Sequence, residues 1–260
     1  MKRRIKAVLG WLAFHSRLHR LFFKNRAVVV LFHRVDDRDA DNPLSCSRAE
    51  FAAFADFFRR FFTVIPLSDL LERLARGDDL SGRLVITFDD GYLDNYRNAA
   101  PELRRRGLPA CFFVATAFIG STRVPWWDEE RGIRSEWMSW EHLRDLHAQG
   151  FDIGAHTMNH VDLGVVEADT AVREITGSKV QLERELAAPV KFFTYPYGRV
   201  HQITEANREQ VQKAGFECCL SAYGGSVVPG DAPFHIKRTA VSPWYVSPYQ
   251  FGFEIMLSAS

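Results

Sequence analysis

Leu84-Val85-Ile86-Thr87-Phe88-Asp89-Asp90-Gly91 reads as a largely apolar strand that ends in two adjacent carboxylates and a glycine turn. The strand itself is read over Leu84 to Phe88, and the two carboxylates stand at its end. Two neighbouring carboxylates raise each other's pKa, so the pair gains from a cation or from proton chemistry. Asp-Gly is also an ordinary turn, and the pair by itself supports either reading.

Working outward, strand-like and helix-like runs alternate. Apolar strands are expected at 27–32, 63–67, 110–116, 151–155, 190–194, 216–220 and 235–241. Helices are expected at 47–61 behind the capping box Ser47-Arg48-Ala49-Glu50, and at 68–76, 95–106, 140–149, 167–186 and 204–214. Repeated β-α units of this kind predict an α/β fold with a parallel sheet, open or closed. His33, Asp89, Asp90, His156 and Tyr195 to Gly198 all follow strands. In parallel barrels that rim carries the chemistry. The connection 117–138, with Pro125-Trp126-Trp127-Asp128, is long enough to cover something.

His156-Thr157-Met158-Asn159-His160 supplies the other half of the pattern. One carboxylate and two histidines make a plausible three-ligand catalytic metal site, with the second carboxylate left as a base. The spacing also suits two surface histidines, and Thr157 stands where a zinc protease has glutamate.

Taken together, these motifs resemble the polysaccharide deacetylase family (the chitooligosaccharide deacetylase homology domain, carbohydrate esterase family four). Thr87 to Gly91 is similar to its first motif, His156 to His160 to its second, and Tyr195-Pro196-Tyr197-Gly198 to the end of its third. Leu31 to Val35 and Pro125 to Asp128 resemble its exopolysaccharide and biofilm-polymer branch. The resemblance runs from about residue 28 to 241 and implies a distorted (β/α) barrel. It implies that Asp90, His156 and His160 hold a divalent metal, zinc in the first place, and that Asp89 is the general base. It also implies that the Tyr197 N–H faces the oxyanion and that Leu163 lines the acetyl-methyl pocket. The activity implied is hydrolysis of N-acetyl groups on amino sugars of a polysaccharide, oligosaccharide or lipid-linked glycan. Rival readings are an O-acetyl esterase, a non-sugar amide hydrolase, and a silent carbohydrate-binding homologue.

The third motif departs from the family, because no arginine precedes Tyr195. Arg238 is the candidate replacement, set against an ordinary surface arginine. His33 is preferred to His235 as general acid, and a hydrogen-bonded core histidine is its alternative. Trp126, Trp127 and Trp137 form either a sugar-stacking surface or a local cap on the core.

Composition bounds the rest. The 260 residues are 47% hydrophobic with 21 phenylalanines, as in a folded domain with a large aromatic core. The net charge of +1 gives no case for nucleic acid. Nine of the 33 Lys and Arg lie in residues 1–35, which contain no acid; 24 remain against all 32 acids. Residues 1–26 are therefore expected to be a separate basic amphipathic helix, and 27–260 the catalytic domain. Ile5, Val8, Leu9, Leu12 and Ala13 share one helical face. That face predicts either peripheral contact with an anionic membrane or packing on the domain. The four cysteines suggest no disulfide framework, and the expected location is cytoplasmic, peripheral at the inner membrane face.

Overall fold

The computed structural model describes residues 1–38 and 41–258, so the last two residues of the expected domain lie outside it. Among the described residues ten strands form: β1 (Ala27–Phe32), β2 (Arg34–Val35), β3 (Ser45–Cys46), β4 (Thr63–Val64), β5 (Arg83–Phe88), β6 (Cys111–Val114), β7 (Asp152–Ala155), β8 (Phe192–Thr194), β9 (Cys218–Leu220) and β10 (Thr239–Ala240). β2 and β3 pair only with each other. The other eight make one parallel sheet in the order β10-β1-β5-β6-β7-β8-β9, with β4 beside β5. β4 holds the Arg83–Leu84 end of one β5 edge and β6 the Thr87–Phe88 end, which distorts the array. Between the ends of the sheet, Ile236 bridges Leu220 of β9 while Thr239 pairs with Val30 of β1. The sheet thus curls into a distorted (β/α) barrel.

Strand parity decides what faces where, because successive side chains alternate across a sheet. Val28, Val30, Phe32, Leu84, Ile86, Phe88 and Phe112 join the layer under the helices. Ala27, Val29, Val85, Cys111, Phe113, Phe192, Cys218, Leu220 and Ile236 fill the interior. Extending the interior parity toward the strand ends reaches His33, Thr87, Asp89, His156, Thr194 and Arg238.

Several expected elements shift. The last strand is only Thr239–Ala240, and His235 closes a 3-10 turn, Pro233–His235. The helix expected from residue 95 starts with a π turn, Asn95–Ala99, before Ala100–Arg106. The 117–138 connection contains a helical turn, Trp126–Glu129, and a C-terminal helix runs over Pro248–Ser258.

The N-terminal helix Lys2–His15 docks on that C-terminal helix through Gly10, Ala13 and Phe14. Gly10 is needed there, since a Cβ would stand 2.0 Å from the Tyr249 carbonyl oxygen. Phe14 inserts among Phe23, Phe57, Phe61 and Phe62. Residues 1–26 are therefore joined to the main core through Phe14 and Phe23. The expected docking face is corrected: of its members only Ala13 is buried, while Ile5, Val8, Leu9 and Leu12 are exposed. A helix needs only one face for docking, and the small Gly10-Ala13 surface permits the closer approach. Among the described residues no helix is long and apolar enough to cross a membrane, and all four cysteines are free and buried.

Candidate active site

Asp89 is the first residue beyond β5, and its N–H donates to the Phe32 carbonyl at 3.0 Å. The chain then turns sharply through Asp90 (φ +73°) and Gly91 (φ +93°). Glycine is required at 91, because a Cβ would lie 2.9 Å from Ile119 Cδ1 in a left-handed conformation. The turn leaves the two carboxylates, each 2% exposed, with different neighbours.

Asp89 faces Arg238. Arg238 Nη1 donates to Asp89 Oδ1 at 2.8 Å and Nη2 to Oδ2 at 2.7 Å. Its other donors reach Thr87 Oγ1 (3.2 Å), Thr194 Oγ1 (2.5 Å) and the Ser221 carbonyl (2.7 Å). All five guanidinium donors are thereby used on a side chain with no exposed surface. Burial pushes the Asp89 carboxyl up, but the Arg238 charge, with His156, outweighs it and holds the carboxyl below its ordinary value. Arg238 reaches Asp89 from the segment that closes the barrel.

Asp90 faces the histidines. Asp90 Oδ1 lies 3.4 Å from His156 Nε2 and 3.2 Å from His160 Nε2. His156 Nδ1 is 2.9 Å from the Thr194 carbonyl, which can only accept, so Nδ1 carries the proton in the neutral ring. The Nε2 lone pair then points at a carboxylate oxygen, an arrangement relieved by a proton or a cation between them. Two ligands about 2.05 Å from a tetrahedral zinc stand roughly 3.3 Å apart, close to the separations present. The three groups are buried with ligand atoms within 4.8 Å of one another, so they are able to hold a metal ion. Burial opposes ionisation of Asp90, but the bonds and charges from both histidines hold it well below the usual carboxylate range. Burial likewise opposes charge on the imidazoles; His156 ends above the ordinary value through Asp89 and Asp90, and His160 ends below it.

Glu174, on the long helix Ala168–Leu186, fixes the loop between the histidines. Its Oε2 accepts from the Met158 and Asn159 N–H groups at 2.9 and 2.8 Å, and its Oε1 from Asn159 Nδ2 at 2.7 Å. These bonds hold a segment in which Thr157 (φ +63°) and His160 (φ +56°) are left-handed. Sequence reasoning missed Glu174, Thr87 and Thr194. Interior parity could have found the threonines; nothing in the local pattern points to Glu174.

A cleft of about 720 Å³ opens over these groups. His33, Trp126, Trp127 and Tyr197 line it with Asp89, Asp90 and both histidines. Trp127 packs 4.7 Å from His160, and Tyr197 stands 5.0 Å from it on another side. Trp127 Nε1 donates to Tyr92 OH (2.8 Å), which donates to Asp128 Oδ2 (3.0 Å), a buried anchor beneath the loop. Trp126 is 55% exposed, and its Nε1 reaches Tyr197 OH at 3.4 Å.

Leu163, an expected pocket residue, lies elsewhere, as do His235, the less favoured acid, and Trp137, for which a cap on the core was the alternative. His235 is exposed and away from the cleft, because the chain turns at Pro233–His235 before entering the barrel. Trp137 is buried, stacked between Tyr92 and Phe118 at 4.5 and 4.4 Å, and belongs to the core. Leu163 is 3% exposed within the main core and does not line the cleft; its carbonyl is held by Asn207 Nδ2 at 2.5 Å. Leu31 and Tyr195 supply lining there instead.

Comparison with known proteins shows the family and the fold. A family model described as polysaccharide deacetylase matches residues 76–219. The Bacillus subtilis (strain 168) protein YxkH is 25% identical over 217 residues, 83% of this chain and 71% of that one. A poly-beta-1,6-N-acetyl-D-glucosamine N-deacetylase of Staphylococcus aureus (strain MRSA252) is 24% identical over 187 residues, 68% of this chain. The chain spans 61% of the length of that staphylococcal relative. Among solved structures, IcaB from Ammonifex degensii aligns with a TM-score of 0.73 at 26% identity, covering 88% of this chain and 96% of that one. The Streptococcus pyogenes deacetylase PplD, in complex with acetate, aligns with a TM-score of 0.74 at 18% identity, covering 89% and 98%. That second likeness is one of fold.

Proposed function

The chain belongs to the polysaccharide deacetylase family, and on that footing we propose that it hydrolyses the N-acetyl amide of amino sugars in a polysaccharide, oligosaccharide or lipid-linked glycan. The observation that carries the reading is the unequal aspartate pair: Asp89 forked onto buried Arg238, and Asp90 facing His156 and His160. A binding protein gains nothing from a buried base beside a metal site. The staphylococcal relative's name supports an N-acetylglucosamine polymer as substrate.

Asp90, His156 and His160 would hold the ion, zinc in this proposal. A bound divalent ion would polarise the acetyl carbonyl and make water acidic enough to react near neutral pH. Asp89 takes the proton of the attacking water on a carboxylate oxygen. Both its oxygens already accept from Arg238, yet each keeps a further lone pair. Arg238 positions the carboxylate and favours its ionised form. The Tyr197 N–H, in a left-handed turn at φ +61°, stabilises negative charge developing on the carbonyl oxygen. His33 follows β1, whose register sets it beside Asp89, and delivers a proton to the departing amine. Acetate and the free amino sugar are the products. Trp126, Trp127 and Tyr197 form the wall against which the sugar ring stacks.

The reading extends to peripheral contact with an anionic membrane through residues 1–26, at the inner membrane face. Its support is the acid-free basic segment carrying exposed apolar side chains.

The decisive experiment measures acetate release from N-acetylated and O-acetylated glycans at saturating zinc, with bound metal quantified. Asp89→Asn should keep the metal and lose about 10²–10⁴ in rate. Release by that variant at the parent rate, or release from esters alone, removes the proposal.

A further inference from the structure

Beyond the barrel rim, a second group of cations converges without a counter-charge. A cavity of about 270 Å³ lies where the helix Lys2–His15 ends against the helix Arg48–Phe61. His15, Arg17, His19, Arg20 and Arg60 line it, with Phe14 and Phe61 as apolar walls and no carboxylate. None of the three arginines has an acidic partner among the described residues; Arg60 instead sits over the Phe61 ring at 5.2 Å. Arg17, Arg20 and Arg60 are exposed, whereas the buried Arg34, Arg106 and Arg238 are paired with Asp94, Asp56 and Asp89. The imidazoles are held in place. His19 is 5% exposed and stacked on Phe14 at 4.4 Å, and His15 Nδ1 donates to the Trp11 carbonyl at 2.9 Å. Arg17 adopts φ +65°, an unfavourable conformation for a non-glycine residue, where the helix stops.

The same segment of chain carries exposed apolar side chains. Trp11, Leu12, Leu18 and Leu21 are 48, 50, 47 and 72% exposed. Soluble proteins seldom present so many large apolar groups in so short a segment without an occupant. Cations that gather on one phosphate beside side chains that enter an acyl layer describe the headgroup boundary of a bilayer. The acid-free charge of residues 1–35 matches an anionic surface and disfavours a second copy of the same basic face.

We propose that the Arg17, Arg20 and Arg60 cavity binds the phosphate of an anionic lipid headgroup, with Leu18 and Leu21 inserted beside it. This rests on the membrane reading above and adds a defined site to it.

The test is co-sedimentation of the full chain with vesicles of phosphatidylcholine alone or mixed with phosphatidylglycerol, which gives the surface a negative potential. Arg60→Gln is compared with Arg59→Gln, an equal charge change on the adjacent exposed position. Binding confined to anionic vesicles, weakened roughly fivefold by Arg60→Gln and little by Arg59→Gln, is the expected result. Equal loss in both variants overturns the site and leaves diffuse attraction. No vesicle binding by the parent chain overturns the lipid assignment and the membrane reading together. Inorganic phosphate serves as the second probe, read by thermal shift. Stabilisation that Arg60→Gln abolishes, without vesicle binding, identifies a soluble phosphate instead and refutes the lipid assignment. Circular dichroism of each variant checks that folding is retained.

Discussion

Replacing Arg238 by methionine tests how the base is held. The variant keeps most of the side-chain volume and removes all five donors. Asp89 is then left 2% exposed without its two charge-assisted bonds. Removing one partner of a buried ion pair costs about 3–5 kcal/mol, because the remaining charge is desolvated and unpaired. Thr87, Thr194 and the Ser221 carbonyl lose a donor as well, so the upper half of that range is expected. At roughly 2–4 °C per kcal/mol for a chain of this size, Tm should fall by about 8–20 °C. The assay is thermal unfolding of all variants at one protein concentration and saturating zinc. The Asp89→Asn/Arg238→Met double variant should be less destabilised than the sum of the single changes by about 2–3 kcal/mol. The pH sign follows from the direction of the shift. A carboxyl held below its unfolded value stabilises the fold above about pH 4, and that stability is lost as pH falls through the lower folded value. Without the guanidinium, burial acts unopposed by it, the carboxyl rises, and the acid limb of kcat/KM moves to higher pH. A Tm loss under about 3 °C, with an unmoved acid limb, refutes the argument.

Glu174→Ala should weaken zinc binding about 10–100-fold with the fold intact, since it frees the loop between the histidines; chelator competition measures this, and an unchanged affinity rejects the role. Zinc at a hundredfold over its Kd should stabilise the protein by about 2.7 kcal/mol, and the increment should vanish in His156→Ala, as read by thermal shift. Trp126→Ala should raise KM for a glycan with little change in Tm, whereas Trp137→Ala should cost about 3–5 kcal/mol, because one ring faces the cleft and the other fills the core. Gly91→Ala should cost about 1–3 kcal/mol, seen as a lower Tm, through its positive φ and the contact with Ile119.

Much of the site is local in origin and was legible for that reason. Asp89 follows one strand and His156 another, and period-two alternation sends both side chains inward without knowledge of the partners, while Asp90 is aimed by the left-handed turn beside Gly91. The barrel follows from repeated β-α units, and only their boundaries shift. Leu163 was placed at the site by its position after the second motif, but packing assigns it to the core; for Trp137, packing favours the core over the sugar-stacking alternative. His235 was placed on a strand that begins four residues later.

The sequence alone determined the fold class, through its repeated β-α units, and singled out Asp89, Asp90, His156 and His160 as candidates through motifs that resemble those of the family. Only the tertiary structure decided who steadies Asp89. Arg238 lies 149 residues away and reaches it because the closing segment of the barrel returns beside β1. The same holds for Glu174 under the histidine loop and for the N-terminal helix. That helix buries its small-residue face and leaves its large apolar face outward. Such choices depend on which surfaces meet when distant segments close, and no local pattern encodes that meeting.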